Sequence, residues 1–137
     1  CYRSSGSIES NTFVANIGTM WGTVHIFGAS AITFSNNIVA NEQRGWGVVT
    51  DGGNTISCNV FHGNASGDIS SISPSFDNIF SDPQFCALEF DDLALAATSP
   101  AIPENNNCGL IGAVALTCDG VVAVENSSWG DLKARFQ

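Results

Sequence analysis

Carboxylates are the side chains here with the most scope for chemistry. Asp77, Asp82, Asp91 and Asp92, with Asp68 and Glu89 beside them, border turn-forming phrases. Carboxylate and backbone oxygens can converge at such turns on a hard cation, and Ca²⁺ is the ion such a set would take. The plainer reading is a solvated acidic rim. Arg44 is the only base well inside the repeats described below, and a lone arginine reads as a solvating surface residue. His25 and His62 fall at outward positions of expected strands, and no His/Cys spacing resembles a zinc site. No serine sits in a Gly-x-Ser-x-Gly elbow, so no nucleophile triad is supported. No residue is therefore assigned a catalytic role. Trp21 and Trp46, one repeat apart, offer flat apolar faces on which sugar rings or a partner surface could stack; the alternative is a pair of corner or core aromatics.

These residues are carried by a phrase written three times: Asn11-Thr-Phe-Val-Ala-Asn16, Asn36-Asn-Ile-Val-Ala-Asn41 and Asn59-Val-Phe-His-Gly-Asn64. The closing asparagines are 25 and 23 residues apart, and Trp21-Gly22 recurs as Trp46-Gly47 at a step of 25. A period in this range marks a stacked repeat, each unit burying its apolar face against its neighbours. Within each phrase the side chains alternate: Phe13 and Ala15, Ile38 and Ala40, Phe61 and Gly63 on one face, with Val14, Val39 and His62 on the other. A period of two is that of a strand, and the abundance of Val, Ile, Phe and Thr agrees. Asn tolerates left-handed backbone, so each phrase reads as a strand running into a tight corner. Stacking such units in parallel predicts a ladder of Asn16, Asn41 and Asn64 bonded side chain to side chain along the axis.

In order, the expected strands are Ile8 to Val14, Thr23 to Phe27, Ile32 to Val39, Val48 to Thr50, Ile56 to Phe61 and Phe76 to Phe80. Leu93 to Leu95 is expected as the last ordinary strand, and residues 103–107 as a polar loop. The pattern resembles the right-handed parallel β-helix proteins, the pectate-lyase-like superfamily of secreted bacterial proteins. The resemblance spans roughly residues 7 to 118 and includes Ser81-Asp-Pro-Gln-Phe85, Ser99-Pro-Ala-Ile102 and Gly109-Leu-Ile-Gly-Ala113, which look like the segment closing many such domains. It implies an all-β solenoid of about three to five short coils over residues 1–118, then a tail over 119–137. Lyases of this fold use carboxylate-bound calcium and an Arg or Lys, and hydrolases of it use an acid cluster followed by His-Gly. Here His62-Gly63 precedes Asp91-Asp92, so neither set assembles. Fold alone does not convey activity.

Net charge is −9, with thirteen acids against four bases, which disfavours a nucleic-acid partner. No apolar run is long enough to span a membrane. Five cysteines in 137 residues suggest an oxidising, extracellular or cell-surface setting. Cys108 and Cys118 flank the Gly109–Ala113 phrase and are the first choice for a disulfide closing the last coil. Cys58 reads as a small buried hydrophobe, and Cys1 and Cys86 have no evident partner. The chain begins at Cys1 without a leader, which reads as a piece of a longer protein or as a processed mature chain.

In the tail, Ser128 and Asp131 approximate a capping box, and Trp129, Leu132 and Phe136 would share one helical face. That face would pack over the domain's own end or serve as an inter-subunit strap. Two readings of function follow. One is a non-catalytic structural scaffold, a surface, adhesive or filament protein associating end to end through exposed strand edges. The other is a module that binds or degrades polysaccharide.

Overall fold

The computed structural model describes residues 3–18, 21–28 and 31–119, so the tail face of Trp129, Leu132 and Phe136 lies outside the described residues. The chain winds into a parallel β-solenoid of about three turns. The first turn comprises β1 (Ser5–Glu9), β2 (Thr12–Val14) and β3 (Val24–Ile26). The second comprises β4 (Ala31–Ser35), β5 (Ile38–Ala40) and β6 (Trp46–Thr50). The third comprises β7 (Thr55–Ser57), β8 (Val60–His62) and β9 (Gly67–Ser71), and β10 (Ser75–Phe76) with β11 (Ile79–Phe80) begins a further turn. Three parallel sheets result, ordered β1-β4-β7-β10, β2-β5-β8-β11 and β3-β6-β9.

Four of the expected strands are each broken in two by a corner. Ser10, Asn36, Cys58 and Asp77 all take left-handed backbone, with φ of 57°, 54°, 57° and 56°. They separate β1 from β2, β4 from β5, β7 from β8 and β10 from β11. Apolar residues continue on both sides of each corner, so alternation alone does not reveal the break. Asn11, Asn37, Asn59 and Asn78 follow in the next column.

This second column is the asparagine ladder. Asn11 Nδ2 donates to Asn37 Oδ1 at 3.0 Å, Asn37 Nδ2 to Asn59 Oδ1 at 3.1 Å, and Asn59 Nδ2 to Asn78 Oδ1 at 2.9 Å. The backbone N–H of Asn11, Asn37 and Asn59 donates to the same three oxygens. The expected ladder of Asn16, Asn41 and Asn64 is corrected. Register pairs Val14 with Ala40 and Ala40 with His62, so Asn41 aligns with Ala15 and Gly63, one position before the column of Asn16 and Asn64. Glu42 stands between those two: its Oε1 accepts from Asn16 Nδ2 at 3.2 Å, and its backbone N–H donates to Asn64 Oδ1. The ladder residues are 26, 22 and 19 apart, so aligning the copies on their closing asparagines slips the middle copy by one residue.

The slip also reassigns faces. Phe13, Val39, Phe61 and Phe80 form one inward column. With Phe34, Ile56, Ile26 and Val48, the buried Val39 and Phe61 form the core inside the coils, and Phe13 packs partly buried against it. Ile38, Ala40 and Val60 point outward yet are buried, because the C-terminal segment lies over them. That segment begins with β12 (Phe85–Ala87) and β13 (Asp92–Leu95), which pair antiparallel, so Leu93–Leu95 is not a further coil strand. It continues through a 3-10 turn at Pro103–Asn105, within the expected loop, to Ile111, buried in the second core. Asn36 Nδ2 holds this strap by donating to the carbonyls of Cys108 and Leu110, and Gly112 N–H donates to Asn36 O. Gly112 has φ of 94°, which favours glycine, and a β-carbon there would lie 2.6 Å from Ile38 Cδ1, so the Ile38 side chain would also have to shift.

The expected Cys108–Cys118 bond is likewise corrected. Cys58 pairs with Cys108, and Cys86 with Cys118. The Gly109–Ala113 phrase runs along the solenoid instead of looping back, which carries its flanking cysteines apart. Cys108 meets the corner column at Cys58. Cys118 N–H donates to Leu95 O, and Leu95 pairs with Phe85, which brings Cys118 beside Cys86.

Candidate functional site

The surface that departs most from an ordinary solvated exterior is the last-turn end of the stack. Inside the coil, Val39 and Phe61 are fully buried. Phe80 continues their column and stacks on Phe61 with ring centroids 5.9 Å apart, yet is 62% exposed because no described strand lies beyond it. Ile72, which follows β9, and Phe76 in β10 are 84% and 52% exposed. β10 and β11 form the outer strands of their sheets, and β9 that of the third. Such edges present backbone donors and acceptors able to pair with another strand. At the opposite end β1, β2 and β3 are the outer strands, with Ile8 and Phe13 only partly buried.

A second feature is a row of rings on the outer side of β3. Trp21 stacks on His25 at 6.4 Å, and His25 meets Phe27 at 4.5 Å. Val24 and Ile26 point into the core, so the alternation turns His25 outward, as expected. Trp46 does not extend this row. Register sets Trp46 opposite Gly22 rather than Trp21, and its ring packs on Gly67, where a β-carbon would lie 2.5 Å away.

The acidic candidates are dispersed. Asp82 Oδ1 accepts from Gln84 N–H and Asp92 Oδ1 from Ala94 N–H, each fixing a local turn. Asp91 closes the 3-10 turn Leu88–Phe90 in left-handed backbone, and Asp77 occupies the corner column. Among the described residues no three His, Cys, Asp or Glu side chains form a group that could hold a metal. Arg44 is exposed and makes a backbone bridge to Ile17. Asp82 instead lines a groove of about 260 Å³ with His62, Asn41, Gln84, Phe85 and Leu88. Asp77 lines a larger one, about 470 Å³, between the corner column and the Pro103–Asn105 turn.

Glu42 is the polar residue that sequence reasoning passed over. It is buried, with Asn16 and Thr23 donating to its two carboxylate oxygens. Its signal was an acid in a column otherwise held by Asn, visible only once the register is known. Asn64, the next residue in that column, donates to Asp68 Oδ1 at 2.8 Å. The cluster is a hydrogen-bonded corner, continuous with the coil.

Comparison of the chain with family models, curated proteins and solved structures finds no match in any of the three. The fold and its surfaces are therefore the basis for function. Among the described residues no helix is long and apolar enough to cross a membrane.

Proposed function

We propose that this protein is a non-catalytic structural scaffold of the extracellular space or cell surface, which associates end to end through its coil stack. The observation that carries the reading is Phe80: a core-column aromatic stacked on Phe61, left 62% exposed at an open strand edge. Exposed apolar surface beside strand edges favours association. Two disulfides suit an oxidising compartment. The outermost described strands at the two ends differ in composition, and contacts between unlike ends are head to tail and propagate into filaments when the rotation does not close. Sedimentation velocity across a hundredfold concentration range tests this. Oligomers that grow with concentration and disappear in Phe80→Glu are expected. A strict monomer throughout would reject the scaffold reading.

A second reading, carbohydrate binding, is favoured by the ring row of Trp21, His25 and Phe27, since flat aromatic faces stack on sugar rings. Trp21→Ala should then lose retention on a gel containing pectin or alginate. Equal retention of variant and parent removes this reading.

A further inference from the structure

The asparagine ladder has a direction. Each asparagine donates through its backbone N–H and Nδ2 to the Oδ1 of the next turn. Each also donates back through Nδ2 to a carbonyl of the turn before: Asn37 to Ile8 O, Asn59 to Phe34 O and Asn78 to Ile56 O. The two ends are consequently unlike. At the first turn, Asn11 Oδ1 receives no hydrogen bond from the described residues. At the last, Asn78 N–H has no acceptor among them, and Ser75, which follows Ile56 in its column, has no turn beyond it. Among the described residues one end leaves over an acceptor, Asn11 Oδ1, and the other a donor, Asn78 N–H, whose own Nδ2 donates to Ile56 O and Ser75 Oγ.

We infer that the partner at the last-turn end is the first turn of a second copy, docked in the register of the ladder. This rests on the association reading above and specifies its geometry. Asn78 N–H donates to Asn11 Oδ1 of the second copy, and Asn78 Nδ2 joins it by giving up its bond to Ser75 Oγ, while Asn11 Nδ2 of that copy turns from its own Glu9 O to Ser75 O. The same superposition sets Phe80 over Phe13, continuing the apolar column, and Asp77 over Ser10, continuing the left-handed corner. A copy docked first turn to first turn would bring two Asn11 Oδ1 acceptors together. A copy docked last turn to last turn would oppose two donor ends and the carboxylates of Asp77. Both symmetric arrangements leave the ladder unpaired, so the contact is heterologous.

The corner column supplies the test. Strands in one sheet lie about 4.8 Å apart, within the Cα separation a disulfide spans. Ser10 and Asp77 are exposed, and the column already carries Cys58 in the same backbone conformation, so cysteine is accommodated there. Ser10→Cys and Asp77→Cys are made separately in a Cys1→Ser background, then mixed under a glutathione redox couple and resolved on a non-reducing gel. Sedimentation of the unlinked parent runs in parallel. The expected result is a linked dimer in the mixture, none in either variant alone, and a ladder of covalent multimers from the doubly substituted chain. Concentration-dependent sedimentation with links only between like variants would leave self-association standing and overturn this junction. A monomeric parent with no link in the mixture would overturn both.

Discussion

Asn59 shows how much one amide carries in this fold. It is fully buried and accepts from Asn37 N–H and Nδ2 while its own Nδ2 donates to Phe34 O and Asn78 Oδ1. Removing it leaves buried donors and an acceptor unpaired on both neighbouring turns, and each such group costs about 1–3 kcal/mol. Asn59→Ala should therefore lower unfolding free energy in urea by about 3 kcal/mol. Asn41→Ala should cost about 1 kcal/mol, chiefly the left-handed backbone penalty, since Asn41 lies outside the ladder. A loss at Asn59 no larger than that at Asn41 would show that the ladder's buried hydrogen bonds do not carry this stability. Glu42 is a different case, because its buried carboxylate acts only as an acceptor, from Asn16 and Thr23. In Glu42→Gln the amide oxygen still accepts from Asn16, and the Thr23 hydroxyl turns to accept from the new NH₂ group. That substitution should change stability by less than about 1 kcal/mol, whereas Glu42→Ala should cost about 2 kcal/mol or more. Urea titrations of the two variants at one pH distinguish them.

At the scale of elements, the C-terminal strap is what makes the β2-β5-β8-β11 sheet a two-sided core. Phe61 and Val39 fill the coil interior, while Ile38, Ala40 and Val60 are closed off by Leu95, Ala101, Ile102 and Ile111. The Cys58–Cys108 bond ties the strap to the corner across 50 residues of sequence. A loop of that length corresponds to about 4 kcal/mol in the chain-entropy account, with about 2–4 kcal/mol typical. Cys58→Ser with Cys108→Ser should lower stability by that amount. Amide exchange should accelerate first at Leu110–Gly112, before the β4–β9 coils, and uniform acceleration would mean that strap and coil unfold as one unit. The sequence showed the coil plainly, because Val, Ile and Phe at alternate positions with a recurring Asn have few other solutions. It concealed the corners, since Ser10-Asn11 and Cys58-Asn59 interrupt the strands without glycine or proline to mark them. It also concealed the strap's path: Ile38-Val39-Ala40 is apolar on both faces, which signals a covering layer but does not say which segment supplies it. The same gap led to the wrong cysteine pairing, because Cys108 and Cys118 are near in sequence but meet different elements. Of the site candidates, Trp21 stands exposed in a ring row, whereas Trp46 is held against Gly67 by a register that the step of 25 misstates by one residue.

For the whole molecule the deciding quantity is charge. Each copy carries a net −9, so any encounter between copies begins against repulsion. The last-turn end adds Asp68, Asp77 and Asp82, while the first-turn end offers Arg3 and Glu9, too little opposite charge to offset the rest. An interface built from Phe80, Phe13 and the uncharged ladder gains nothing from ion pairing, so screening should help it. The Debye length falls from about 30 Å at 10 mM salt to about 8 Å at 150 mM. Across that change the weight-average sedimentation coefficient at fixed protein concentration should rise, and Phe80→Glu should flatten the response. Substituting sodium sulfate at matched ionic strength should strengthen association further, because sulfate reinforces apolar burial in addition to screening. Were salt to dissociate the oligomers instead, ion pairs would be holding the copies together, and the apolar column could not be the contact.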